Sequence, residues 1–120
     1  MATGDHVALG RRGEEIAARY LAGRGFRILE RRFKTRSGEI DLVAEEAGTL
    51  AFIEVKTRSS SACGRPAEAV DRRKQARLAR AAEVYLARTG RHDAVCRFDV
   101  VEVWDDPDGE CRIDHIRDAF

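Results

Sequence analysis

Aromatic residues, prolines and cysteines are all sparse in this 120-residue sequence: aromatics make up 7%, with two prolines and three cysteines. The cysteines, Cys63, Cys96 and Cys111, are odd in number, widely spaced and form no C-x-x-C. That excludes a disulfide framework and a zinc site and points to a reducing compartment, with Cys96 as a small core residue. No apolar run approaches the 18 or so residues of a membrane span, and none near the N-terminus has signal-peptide length. Repeats and low-complexity linkers are absent too. A cytoplasmic protein with one domain over residues 1–120 is expected, large enough to bury roughly two-thirds of its unfolded surface.

An excess of one charge is also missing, since 22 Lys and Arg face 21 Asp and Glu. The balance hides a strong segregation. Gly10 to Arg36 holds nine basic and three acidic residues, and Arg65 to Arg91 holds eight and three. Between them, Ser37 to Gly64 holds two and five, and Asp93 to Phe120 holds three and nine. Basic segments bordering a small acidic centre suit a metal-using site that seeks phosphates.

Hydrophobic spacing gives the elements. Leu9, Gly13, Ile16, Ala17, Tyr20 and Leu21 recur at three and four residue steps, predicting a helix from Asp5 to Ala22 that stops at Gly23 and Gly25. Strands are predicted over Phe26–Lys34, Glu39–Ala44, Leu50–Thr57, Ala94–Trp104 and Cys111–Ile116. A turn at 106–109 separates the last two. A second helix is predicted from Pro66 to Thr89, with Ala67, Val70, Leu78, Ala81, Ala82 and Tyr85 on one face and Arg72, Arg73, Arg77 and Arg80 opposite. The order is α-β-β-β-α-β-β. Because a helix joins the third and fourth strands, they can run parallel, giving an α/β fold with a mixed sheet flanked by helices.

The informative residues lie on the central hairpin, Gly38 to Val43 and Phe52 to Arg58. A turn symmetric about Ala47-Gly48 sets Asp41 opposite Glu54, and strand alternation puts Lys56 on the same side as Glu54. Two facing carboxylates repel unless a cation lies between them. A pair of hard oxygen ligands, with water and a substrate phosphate completing the shell, describes Mg²⁺ or Mn²⁺ better than Zn²⁺ or Ca²⁺. Lys56 would stand beside the metal-bound water, and the backbone carbonyl of Val55 is a further candidate ligand. Exposed cross-strand ion pairs are the alternative for the same residues. Glu14 falls at the edge of the first helix's apolar stripe, where either solvent or the rim of the core can receive it. On the second helix Lys74 lies inside the stripe and is expected to snorkel, while Gln75, near its edge, is a candidate site residue. Arg11, Arg12, Lys34, Arg36 and Arg58 are candidates for phosphate contact.

Four ordered motifs carry a resemblance: Gly10-Arg11-Arg12-Gly13-Glu14, Gly38-Glu39-Ile40-Asp41-Leu42, Phe52 through Arg58, and Arg73-Lys74-Gln75. Together they resemble the small bacterial YraN-like proteins, a family similar to archaeal Holliday-junction resolvases within the PD-(D/E)-x-K nucleases. The resemblance implies a restriction-endonuclease-like fold with Asp41 and Glu54 as metal ligands and Lys56 as the catalytic lysine. It also implies Glu14 as a helix acid near the metal and Gln75 as an accessory residue. The expected activity is metal-dependent cleavage of DNA, branched or structured by similarity, with a homodimer if the substrate has two-fold symmetry. A non-catalytic nucleic-acid-binding protein acting through a partner is the alternative.

Overall fold

A computed structural model of the chain describes residues 2–58, 70–105 and 111–120, with side chains from residue 10 onward. Helix α1 spans Ala2–Gly23, and strands β1 (Arg27–Lys34), β2 (Glu39–Glu46) and β3 (Thr49–Arg58) follow. Helix α2 (Arg72–Thr89), β4 (Val95–Asp105) and β5 (Cys111–Ile116) complete the order. The expected α/β architecture is what forms. One five-stranded sheet runs β1-β2-β3-β4-β5, antiparallel throughout except for the parallel β3/β4 pair.

The two helices cover opposite faces, because side chains alternate along each strand. Under α1, Ala17 and Leu21 pack with Phe26, Leu42, Ile53, Val101 and Val103. Under α2, Leu78, Ala82 and Tyr85 pack with Val43, Leu50, Phe52 and Val100. Full burial of a side chain the size of Phe52 or Leu21 stabilises by about 1.5–3 kcal/mol, so these two layers hold the sheet from both sides.

The turn between β2 and β3 has the symmetry expected. Ala47 and Gly48 both adopt positive φ, 51° and 83°, as a two-residue turn matching strand twist requires. The pairs Glu46↔Thr49 through Leu42↔Ile53 then follow. Helix α2, by contrast, starts later than Pro66. Its N-cap is Asp71, whose carboxylate accepts the Lys74 N–H at 2.8 Å, so Val70 lies before the helix, buried against its base. An aspartate that satisfies an orphan N–H is the stronger start signal. Pro66 and Ala67 and the turn at 106–109 lie outside the described residues.

Two contacts fix the periphery. On α1, a Cβ added at Gly13 would sit 1.9 Å from the Thr57 Oγ1, so only glycine lets the helix approach β3 this closely. Gly13→Ala is expected to destabilise the fold by about 1–3 kcal/mol, read from the denaturation midpoint. Thr57→Ala in the same chain should restore part of that loss; no coupling between the two changes would rule out this contact as the cause. At the far side, Asp99 is completely buried and accepts from Arg97 Nε at 3.0 Å, from His115 at 2.8 Å and from the Asp118 N–H at 3.0 Å. The Ala119 N–H donates to the Phe98 carbonyl, and Phe120 stacks on Phe98 with ring centroids 5.1 Å apart.

Candidate active site

The β2/β3 ladder ends at Leu42↔Ile53, and one step further the register sets Asp41 opposite Glu54. Instead of a backbone pair, the Asp41 Oδ2 there accepts the Val55 N–H at 2.8 Å. Burial, reinforced by the charge of Glu54, pushes the Asp41 carboxyl up to about 7, against the opposing pull of the Val55 N–H; Glu14 and Glu39 add smaller repulsions. Glu54 is itself buried. Its Oε1 accepts from the Lys74 ammonium at 2.5 Å, so Lys74 does not snorkel to solvent alone but reaches across from α2 to this acid.

Glu14, half-buried on α1, is gripped by Arg32, whose Nε and Nη2 donate at 2.7 and 3.3 Å. Arg32 is the site residue the sequence did not disclose. It falls between the pairs Arg31↔Leu42 and Phe33↔Ile40, hence at the register position facing Asp41, and its φ of 54° is left-handed in the middle of a strand. A positive φ at a non-glycine residue is strained and turns the side chain off the expected alternation. That turn aims the guanidinium at α1. The sequence signal was the run Glu30-Arg31-Arg32, which breaks alternation inside a strand otherwise framed by Ile28, Leu29 and Phe33.

Lys56 is half-buried on β3, two residues beyond Glu54 and in register with Glu102 of β4. Glu102 is engaged elsewhere: its Oε2 accepts from Arg58 Nε at 2.9 Å. Lys56 has no ion-pair partner among the described residues. Val55 contributes its amide to Asp41. Gln75 turns back to the base of its own helix, donating to the Val70 carbonyl at 2.7 Å, and its amide nitrogen contacts none of the acids.

The candidate phosphate contacts divide in two. Arg12 pairs with Asp105 at 2.7 Å, and Arg58, tied to Glu102, also faces the Trp104 ring, which carries Arg112 at 4.7 Å. Arg11, Lys34 and Arg36 are exposed without an acidic partner among the described residues, as are Arg72, Arg73, Arg77 and Arg80 on α2. Arg11 lines an open hollow of about 290 Å³ with Glu14, Glu15, Arg31 and Arg32.

Among the described residues no three His, Cys, Asp or Glu side chains converge into a closed metal cage. The donor set is a pair, Asp41 and Glu54. Asp41, half-buried beside the buried Glu54 and raised by burial and by that charge, has no ion-pair partner of its own among the described residues, a deficit that a hard divalent cation fills. Mg²⁺ commonly takes one or two carboxylates and keeps the rest of its shell as water and phosphate, so these residues fit it.

Fold and site together define an α/β protein whose mixed sheet carries a facing acid pair, one member buried and one half-buried, and a lysine where two antiparallel strands part. Residues 13–103, which include Glu14, Asp41, Glu54, Lys56 and Gln75, match the model of the family described as "Uncharacterised protein family UPF0102". The chain belongs to this family, the YraN family. It is 52% identical over 112 residues to a UPF0102 protein of Symbiobacterium thermophilum, covering 93% of this chain and 95% of that one. Identity to the UPF0102 proteins of Geotalea uraniireducens and Rhodococcus jostii is 43% over 116 and 45% over 115 residues, covering 97% and 96% of this chain and 91% and 98% of theirs. No helix among the described residues is long and apolar enough to cross a membrane.

Proposed function

We propose that the protein is a Mg²⁺- or Mn²⁺-dependent nuclease that hydrolyses DNA phosphodiester bonds, acting in the cytoplasm as an endonuclease on branched or structured DNA. The observation that carries this reading is the half-buried Asp41 facing the buried Glu54, with Lys56 on the same strand as Glu54. Asp41 and Glu54 would hold the ion, with the Val55 carbonyl as a further ligand. The bound ion would supply Lewis acidity toward the phosphate and a more acidic water.

The chain's own groups do the rest. Lys56, free of any carboxylate among the described residues, donates to the attacking water and offsets negative charge gathering on the phosphate. Glu14 orients water from the α1 side, and Gln75 supports the α2 side by bracing the helix base. Exposed Arg11, Lys34, Arg36 and the α2 arginines receive backbone phosphates, so affinity should fall steeply with salt. Arg12 and Arg58, each already paired with an acid, join them only by leaving Asp105 and Glu102. A homodimer would place two such sites on a two-fold junction.

The test is cleavage of linear, supercoiled, four-way-junction and RNA substrates with and without Mg²⁺ or Mn²⁺. Wild type is expected to cut only with metal, and Glu54→Ala and Lys56→Ala to lose at least about 100-fold in rate. Equal cutting by Lys56→Ala, or none by wild type on any substrate, would overturn the reading. One observation favours a non-catalytic nucleic-acid-binding protein instead: Glu14 and Glu54 are each neutralised by a cation of the chain itself. Salt-dependent DNA binding that survives Asp41→Ala without any metal binding would establish it.

A further inference from the structure

Lys74 occupies an uncomfortable place. It lies in the first turn of α2, where the helix dipole is already positive, and that turn contains no acidic residue. Its neighbours Arg72 and Arg73 are basic and exposed. What holds the ammonium there is Glu54, and the two ends of this pair differ: the Glu54 side chain is 9% exposed and that of Lys74 is 43%. The acid is fixed in the sheet, whereas the lysine reaches it on a flexible four-carbon stem with solvent on one side.

The Glu54 Oε1 cannot serve both partners well. A hard divalent ion binds a carboxylate oxygen at about 2.0–2.1 Å, and an ammonium bonded to that oxygen would then stand against the ion with like charge. Entry of the ion at this oxygen therefore requires Lys74 to withdraw. Without DNA, Arg72 and Arg73 repel it, and the N-cap carboxylate of Asp71 is already engaged by the Lys74 backbone N–H. With a DNA backbone lying along α2, a phosphate becomes available to receive the ammonium.

Resting on the metal-dependent reading above, we infer that Lys74 couples the two ligands: it clamps Glu54 in the free protein and passes to a backbone phosphate when DNA binds, releasing Glu54 to the metal. Metal loading is then promoted by DNA, and by linkage the metal tightens DNA to the same degree. Lys74 acts as a positioning residue for the metal site and as a phosphate ligand, distinct from Lys56.

The experiment measures Mn²⁺ binding by the EPR signal of the free ion in the Lys56→Ala background, which blocks cleavage, with DNA-only samples subtracted. Parent, Lys74→Met and Lys74→Gln proteins are compared with and without a four-way junction. DNA should tighten Mn²⁺ about tenfold in the parent. Both Lys74 variants should bind Mn²⁺ about tenfold tighter than the parent without DNA, and gain nothing further from it. Their metal-free melting temperatures should fall, because Glu54 is left buried and unpaired, and recover with Mn²⁺. Mn²⁺ binding that responds to DNA equally in parent and variants, or that is no tighter in the variants, overturns the coupling while leaving the metal site standing. No Mn²⁺ binding in any protein overturns both.

Discussion

Replacing Asp41 by Asn is expected to make the metal-free protein more stable at pH 8, by roughly 5–10 °C in melting temperature, while removing any stabilisation by Mg²⁺. The reason is a carboxyl whose folded pKa of about 7 lies above its ordinary value of 3.8 through burial and the neighbouring Glu54. Below 3.8 the group is protonated in both folded and unfolded chains and contributes no difference. As pH rises toward 7 the unfolded chain ionises freely and the folded one resists, so stability drains away and is fully lost above 7. The gap sets an upper limit of about 4 kcal/mol. Asn keeps an oxygen for the Val55 N–H and never ionises, so it escapes the loss. The advantage of the variant should therefore shrink between pH 7 and pH 4. A variant no more stable than wild type at pH 8, or equally advantaged at pH 4, would show that the acid pair is not under this repulsion.

The opposite sign is expected at Asp99. Asp99→Ala should lower stability by about 3–5 kcal/mol, since it empties a completely buried position, strands His115 and leaves Arg97 only Glu46, at 3.1 Å. Burial alone would raise this carboxyl, but bonds from His115, Arg97 and the Asp118 N–H outweigh it and hold it below its ordinary range. Its contribution is present above pH 3.8 and is lost as pH falls through the lowered value. Asp99→Asn, which can still accept the Asp118 N–H, should lose less than the alanine variant. Denaturant midpoints at pH 7 decide the matter: a loss under about 1 kcal/mol for Asp99→Ala would mean the network is dispensable.

The contrast between these two aspartates shows where sequence reading reaches and where it stops. Asp41 was legible because a two-residue turn at Ala47-Gly48 fixes everything on the hairpin by counting, and the register from Glu46↔Thr49 to Leu42↔Ile53 follows that count. The parallel β3/β4 pair was legible because a helix intervenes between those strands, whereas the places of β1 and β5 at the sheet edges were not. Asp99 was not, since its partners Arg97, His115 and Asp118 lie on two strands and a terminal segment whose meeting depends on how β4 and β5 pair. Lys74 lies within the α2 stripe as its spacing predicts, but which acid it meets depends on how the helix docks on β3. Arg32 escaped because no periodicity encodes a left-handed residue inside a strand. The early start expected for α2 failed for a local reason, as Asp71 supplies the cap that Pro66 cannot.

Trp104 sits in register with Arg58, four residues along β3 from Glu54, with guanidinium groups of Arg58 and Arg112 over its ring. It is also the one tryptophan in the chain. Near-ultraviolet emission excited at the indole band thus originates from a single point beside the candidate site. Any ligand that draws Arg58 away from Glu102 changes the indole's surroundings, and the unlabelled protein becomes its own optical reporter.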